Sequence, residues 1–355
     1  MTDPTDHRWH LSKGLAVAQK MTTLSDRIGA LRSLLRISDS EYEAFMNTYS
    51  QLFINSPENT KTDYENGVPM AGYKQGSSKD LELYYRIIHL LCTLGSVEKM
   101  YMPPVLNPKK SVMENQILLE EKMGSDLNVG PGSKVLEIGC GCGAIAASMQ
   151  EITGATMYGI NIDPSQIEKS WRNPALRKEN FSVGDFNKRF PFPDNSFDSV
   201  YAIQPMTYIS EPDHTLTEIY RVLKPGGVFG FNDVAALDNY DRNNSTHQLL
   251  IQHTRELTAF GGFWHYKYWE DAFRKPGFEL LKSEPQMAVE NIKKEVALYD
   301  KYEKAFSFLS KIHVIPRKIF LLIRRMHANC NSYITAEEKG LISLNWYAIM
   351  RKAEA

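Results

Sequence analysis

Cysteine is scarce, with only Cys92, Cys140, Cys142 and Cys330 in 355 residues. No pairing framework is visible, which excludes a small disulfide-stapled scaffold and points to a reducing compartment. Cys140-Gly-Cys142 is too tight for a zinc knuckle or a CxxC redox pair, so both sulfurs are read as small residues in a turn and no metal is expected. Neither sign of charge is in excess. Lys and Arg number 41 against 42 Asp and Glu, and the formal net charge is −1. No global field therefore recruits nucleic acid or an anionic membrane. No apolar run reaches the ~18 residues of a transmembrane helix, and the polar opening from Met1 to His10 has no apolar signal segment. These absences predict a cytoplasmic protein, soluble or at most peripheral at a membrane.

What is present is ordinary globular composition, 43% hydrophobic and 23% charged, in a length suited to one large domain with additions, or to two. Residues 1–54 read as helical, with a plausible N-cap at Ser38-Asp39, and 55–79 as loop. Asp80–Leu94 places Leu81, Leu83, Tyr84, Ile87, Ile88, Leu91 and Leu94 on one broad helical face, and Gly95 stops it. A Pro-rich connector (Pro103, Pro104, Pro108) leads to a helix over Ser111–Met123. From Gly132 strands and helices alternate: strands at 135–138, 156–160, 181–183, 197–203 and 228–231, helices at 144–152, 165–171 and 214–222, and a turn at Lys224–Gly227. Alternation predicts a doubly wound parallel sheet with ligands at the carboxyl ends of its strands. Residues 285–340 depart from it. Ala305–Arg325 is apolar and basic, broken at Pro316, and Leu341–Met350 reads as a final strand. A helical insertion before a last strand suits a lid, and equally a plain surface helix pair.

The stretch that organises the chain is Val135-Leu-Glu-Ile-Gly-Cys-Gly-Cys-Gly143, a buried strand carrying one acid and then three alternate glycines. Glycines at 139, 141 and 143 allow a sharp turn and close approach of a ligand. The spacing differs from the GxGxxG that cradles pyrophosphate. Glu137, two residues before the first glycine, suits a cationic ammonium better than a phosphate. By itself the stretch is also compatible with a Gly-rich turn in some other α/β protein.

The ExGxGxG pattern at a strand-to-helix turn resembles motif I of the class I S-adenosylmethionine (SAM) methyltransferases. Further stretches follow in that family's order. Gly159-Ile-Asn-Ile-Asp-Pro-Ser-Gln166 ends the second strand, where the resemblance puts Asn161, by register, at the acid that grips the ribose hydroxyls. Gly184-Asp185-Phe186 matches the adenine-contacting motif, and Val222-Leu-Lys-Pro-Gly-Gly227 the structural loop before strand five. The resemblance implies a Rossmann-like fold with helices on both faces. It implies SAM as cofactor, with contacts at Glu137, Gly139, Cys140, Gly141, Gly143, Asn161, Ile162, Gln166, Gly184, Asp185, Phe186 and Gln204. It also implies a helical N-terminal cap (1–110), a SAM-binding core (111–284) and a C-terminal helical lid with a final strand (285–355).

The segments Gly154–Ile167, Asp198–Ile203 and Glu218–Gly227, with the C-terminal extension, are similar to the sterol C-methyltransferase family over residues 110–355. The implied activity is carbon methylation of a sterol or similar polycyclic lipid, with peripheral contact at the endoplasmic reticulum membrane through 311–325 and no nucleic-acid partner. Two departures stand out. The family's aromatic Tyr-Glu-Tyr-Gly-Trp-Gly stretch has no equivalent, because Thr60–Ser78 is polar, and only 84–104 (Tyr84, Tyr85, Tyr101) offers replacement aromatics. The family's Tyr-Ala-Ile-Glu is here Tyr201-Ala-Ile-Gln204, and a neutral amide cannot remove the proton left by olefin methylation. Either another group replaces that acid, or the chemistry is methylation beside a ketone, as at C4 of a 3-oxosterol in the nematode branch of the family. Gln204, Tyr208, His214, Glu256 and His265 are the catalytic candidates in or near the loops after strands four and five. The aromatic cluster Phe263–Trp269 is either core packing or a wall for a flat lipid. Methylation of a non-sterol small molecule on C, O or N remains an alternative, as does a SAM-binding protein that has lost catalysis.

Overall fold

The computed structural model describes residues 24–53, 78–94, 99–209, 211–258, 260 and 264–354. Expectations for residues 1–23, the loop up to residue 77, Gly95 and Phe263 lie outside them. Three helices come first, α1 (Leu24–Leu35), α2 (Asp39–Phe53) and α3 (Ser78–Leu94). After α4 (Val112–Asp126) run β1 (Lys134–Ile138), α5 (Ala144–Thr153), β2 (Thr156–Asn161), α6 (Pro164–Ser170), β3 (Phe181–Val183) and β4 (Phe197–Ile203). Then follow α7 (Pro212–Val222), β5 (Leu223–Ala236), α8 (Ser245–Thr258), α9 (Tyr266–Arg274) and β6 (Phe278–Gln286). Last are α10 (Val289–Lys311), α11 (Arg317–His327), α12 (Cys330–Glu338) and β7 (Ile342–Lys352).

Local chemistry explains several boundaries. Ser111 and Glu114 form a reciprocal capping box at the start of α4, satisfying two otherwise orphaned N–H groups. Asp163 caps α6 by accepting the Ser165 N–H at 2.8 Å, with Pro164 at the first helical position. Asp163 is thereby used as a cap, and Asn161 ends β2, as the register predicts.

The sheet order is β3-β2-β1-β4-β5-β7-β6. Strands β1 to β5 pair in parallel, whereas β7 runs antiparallel between β5 and β6. The parallel pairing read from the alternation holds for β1 to β5, and β7 with β6 extends the sheet antiparallel, which makes it mixed. Strand β6 was not anticipated because Phe278-Glu-Leu-Leu-Lys-Ser-Glu-Pro-Gln286 is a half-exposed edge strand, where charge and proline guard against edge pairing. The turn expected at Lys224–Gly227 lies inside β5, where the pairing with β4 jumps from Leu223 to Val228 and Gly226 has φ +74°.

Two cores flank the sheet. The aromatic run after residue 263 is core packing: Trp264 and Trp269 are each 1% exposed and lie with Phe231, Phe273 and Trp346. That removes them as a lipid wall. A third cluster joins the two ends of the chain, packing Leu34, Ile37, Phe45, Ile87, Ile88 and Leu91 of the N-terminal region against Ile319 and Leu322 of α11. No helix among the described residues is long and apolar enough to cross a membrane.

Candidate active site

The turn after β1 lies at the carboxyl end of the parallel strands. Gly139, Gly141 and Gly143 all have positive φ, +68°, +53° and +75°, in the left-handed region that L side chains avoid. Their reasons differ. A Cβ on Gly139 would stand 2.4 Å from Pro205, so the close approach of the β1 and β4 turns demands glycine there. A Cβ on Gly141 would meet only the Gln166 Oε1, at 3.6 Å. Gly141 therefore opens onto space, as a ligand cradle requires. Its N–H donates to the Asn161 Oδ1 at 3.3 Å, and the Asn161 amide donates to the Gln166 Oε1 at 2.9 Å. Sequence-separated residues are thus gathered around one turn. Cys140 is buried, with its Sγ against Gly159, and is a packing side chain.

Glu137 is 2% exposed, and its Oε2 has no hydrogen-bond partner among the described residues. Burial pushes its carboxyl up to about 8. The Tyr201 hydroxyl and the Ala146 N–H pull it down, as does Lys99, while the Glu120 charge adds to the rise. The Lys99 ammonium is already committed, donating to both Glu120 oxygens at 2.7 and 2.6 Å. Tyr101 and Ser148 also donate to that carboxylate, at 2.9 and 2.5 Å. Glu120 is fully satisfied and Glu137 is not. An incoming cation would give the orphaned oxygen its partner, so the residues present fit the ammonium end of an amino-acid-bearing cofactor.

Just past the end of β2, Ile162 is 53% exposed and presents an apolar face next to Asn161. Asp185 accepts the Asn187 N–H at 2.9 Å and lies 3.5 Å from Lys188. Gly184 packs on Ile160. Phe186, expected beside an adenine ring, is 9% exposed and belongs to the core. Ile162 is the more exposed apolar side chain near this point, while Phe186 packs in the cluster under α7.

Gln204 ends β4 in the left-handed conformation, φ +58°. Its backbone N–H donates to Asn232 at 2.8 Å. Its side-chain amide donates to the carbonyls of Met102 and Leu344, both at 3.2 Å, and to the Asn345 Oδ1 at 3.4 Å. Asn345 in turn donates to the Met102 carbonyl at 3.0 Å and accepts from Asn232 at 3.2 Å. Gln204 thus fastens the connector at Met102 to β7. Tyr208 sits in the short turn that follows, half-buried, its carbonyl accepting from Asn187. His265 lies beside the end of β5, caps α9 through its Nδ1, and places its Nε2 3.4 Å from Asp238. His214 is exposed in the first turn of α7. Glu256 is 6% exposed on α8 and bound by Asn329 at 2.8 Å and Arg325 at 3.4 Å. The structure brings Gln204, Tyr208 and His265 to the carboxyl edge of the sheet. Glu256 serves a junction with α11 and α12.

Several residues of this region escaped sequence reasoning. Asp233 is buried and accepts the Met206 and Val234 N–H groups, each at 2.7 Å; burial pushes it up to about 7. It shapes the turn after Gln204. Asp233 and Asn345 were detectable as polar residues inside apolar strands, the signal that marked Glu137. Glu120 and Lys99 carried no such signal, since charges on a helix and in a connector are commonplace.

Comparison with known proteins bears on this geometry. Residues 136–231 match the family described as a methyltransferase domain. A sterol 24-C-methyltransferase of Aspergillus fumigatus is 35% identical over 169 residues, covering 46% of this chain and 45% of that protein. One from Gibberella zeae is 27% identical over 263 residues, covering 72% and 67%. Several of the matched relatives are spanned over less than half their length. Among solved structures, a mycolic acid cyclopropane synthase complexed with SAH and CTAB superposes with a TM-score of 0.57 at 16% identity, covering 71% of this chain and 90% of that one. Residues 136–231 accordingly match a methyltransferase domain, within a sheet that shares the fold of solved methyltransferases, in a chain whose sequence resembles the sterol C-methyltransferases.

Proposed function

We propose that the chain is a SAM-dependent C-methyltransferase acting on a sterol or sterol-like polycyclic lipid. The observation that carries the cofactor is the open Gly141 cradle beside a buried Glu137 with an unbonded oxygen. The sterol class is supported by the relatives named above. Bound SAM supplies an electrophilic methyl group on a sulfonium. Glu137 accepts the ammonium, Asn161 and Gln166 offer hydrogen bonds to the ribose hydroxyls, and Asp185 with Ile162 borders the adenine. The role we assign to the helices α1 to α3 and to the insertion from residue 289 to 338 is that of a cap and lid that exclude water, so the acceptor carbon meets the methyl group by proximity. Four unpaired thiols suit the reducing cytoplasm, with the endoplasmic reticulum surface as the source of substrate.

Gln204 favours one version of the chemistry. Its amide is occupied as a donor to three acceptors and has no basic atom to offer a carbocation intermediate. That supports methylation beside a ketone, where deprotonation falls to another group and Tyr208 or His265 stands at the same edge. The test is transfer of labelled methyl from SAM into a panel of 3-oxo, 3-hydroxy and Δ24 sterols. Label in a 3-oxosterol is the expected outcome. Label confined to Δ24 sterols would overturn the ketone route, and none in any sterol would overturn the sterol class while leaving SAM binding to be measured separately.

A further inference from the structure

We propose that the tip formed by the end of α10 and the start of α11 docks on an anionic lipid surface. The tip is rigid. The His313 N–H donates to Ser310 at 3.1 Å and the Val314 N–H to Leu309 at 2.9 Å, with His313 at φ +61°, which is a Schellman closure. That closure ordinarily buries its last apolar residue against the helix, yet Val314 is 61% exposed. Phe308, 60% exposed, and Ile312, 48% exposed, lie one turn apart beside it. Water is a poor partner for three such side chains at the end of a fixed turn.

The charge around the tip identifies the partner. Residues 304–336 contain six Lys and Arg and no Asp or Glu, in a chain of net charge −1. Lys318, Arg324 and Arg325 pair with Asp39, Glu303 and Glu256. Among the described residues, Lys304, Lys311 and Arg317 make no ion pair, and all three are exposed. Exposed apolar side chains with unpaired cations within a few residues of them in the chain match the acyl boundary and the anionic headgroups of a lipid surface. A second copy of the chain is disfavoured, since a two-fold contact would set these cations against one another. The inner face of α11, through Ile319 and Leu322, is packed on the N-terminal helices, so docking would hold the lid at the lipid phase. Only that last consequence depends on the sterol reading.

The test is flotation of the full chain with phosphatidylcholine vesicles, with and without phosphatidylserine. Binding to the serine-containing vesicles is expected, weakening as salt rises. Phe308→Ser with Val314→Ser should weaken it about tenfold, and Lys311→Glu with Arg317→Glu should remove the preference for phosphatidylserine. These positions are exposed, and circular dichroism checks that each variant is folded. Absence of binding by the folded chain would overturn the proposal, as would unchanged binding in both variants. So would a dimer in sedimentation that Phe308→Ser with Val314→Ser dissociates. Flotation is independent of methyl transfer, so failure of the proposed activity leaves its outcome readable.

Discussion

Glu137 holds its proton up to about 8, whereas a free glutamate ionises near 4.5. Between those values the folded chain binds a proton that the unfolded chain has lost. The contribution of this group to stability is therefore undiminished below about 4.5 and declines as pH rises toward 8. An ammonium placed against the unbonded oxygen reverses the preference, so SAM binding expels the proton and its affinity rises from about pH 6 to about pH 8. Calorimetric titration across that range should show the Kd falling. Glu137→Gln should flatten the profile and weaken binding by about tenfold or more, the worth of a charge-assisted hydrogen bond. A steep profile retained in the variant would assign the proton elsewhere. The importance of Glu137 was legible in the sequence as an acid in an apolar strand. The orphaned state of its Oε2 was not, because that depends on Lys99 being spent on Glu120.

At the scale of elements, the connector around Met102 is held between β4 and β7. Gln204 and Asn345 both donate to the Met102 carbonyl, and the Asn291 amide on α10 donates to the carbonyls of Pro103 and Pro104 at 3.1 and 3.2 Å. An amide suits position 204 because it meets acceptors only on its donor side. Gln204→Glu would set a carboxylate against the two carbonyls and the Asn345 Oδ1, at a cost of about 3 kcal/mol. Urea denaturation should report that loss, and the loss should shrink at low pH, where the new acid is protonated and can donate. The sequence showed that an acid typical of the resembled family was missing. The purpose of the amide was invisible, since its partners lie 102, 140 and 141 residues away.

At the scale of the molecule, the N-terminal helices and the C-terminal insertion share one core around Leu322, which is 1% exposed. Leu322→Ala should cost about 2–5 kcal/mol. Because that core spans both regions, hydrogen exchange should speed up in α1 and α2 as well as in α11. Protection lost from α11 alone would mean that α11 and the N-terminal helices open independently.

Sequence alone determined the alternation of β1 to β5, the glycine turn, the helix now seen as α3 and the helical stretch before the last strand, and the register that places Asn161 at the end of β2. Those features rest on local periodicity and turn chemistry, which neighbouring residues encode. Tertiary structure decided the antiparallel placing of β7 and the edge strand β6, because strand pairing is settled by distant partners and β6 has no apolar period of its own. It also decided the burial of Trp264 and Trp269, the diversion of Phe186 into the core, and the donor role of Gln204. In each of these the side chain's surroundings come from segments far away in the chain, and burial and hydrogen bonding are properties of those surroundings.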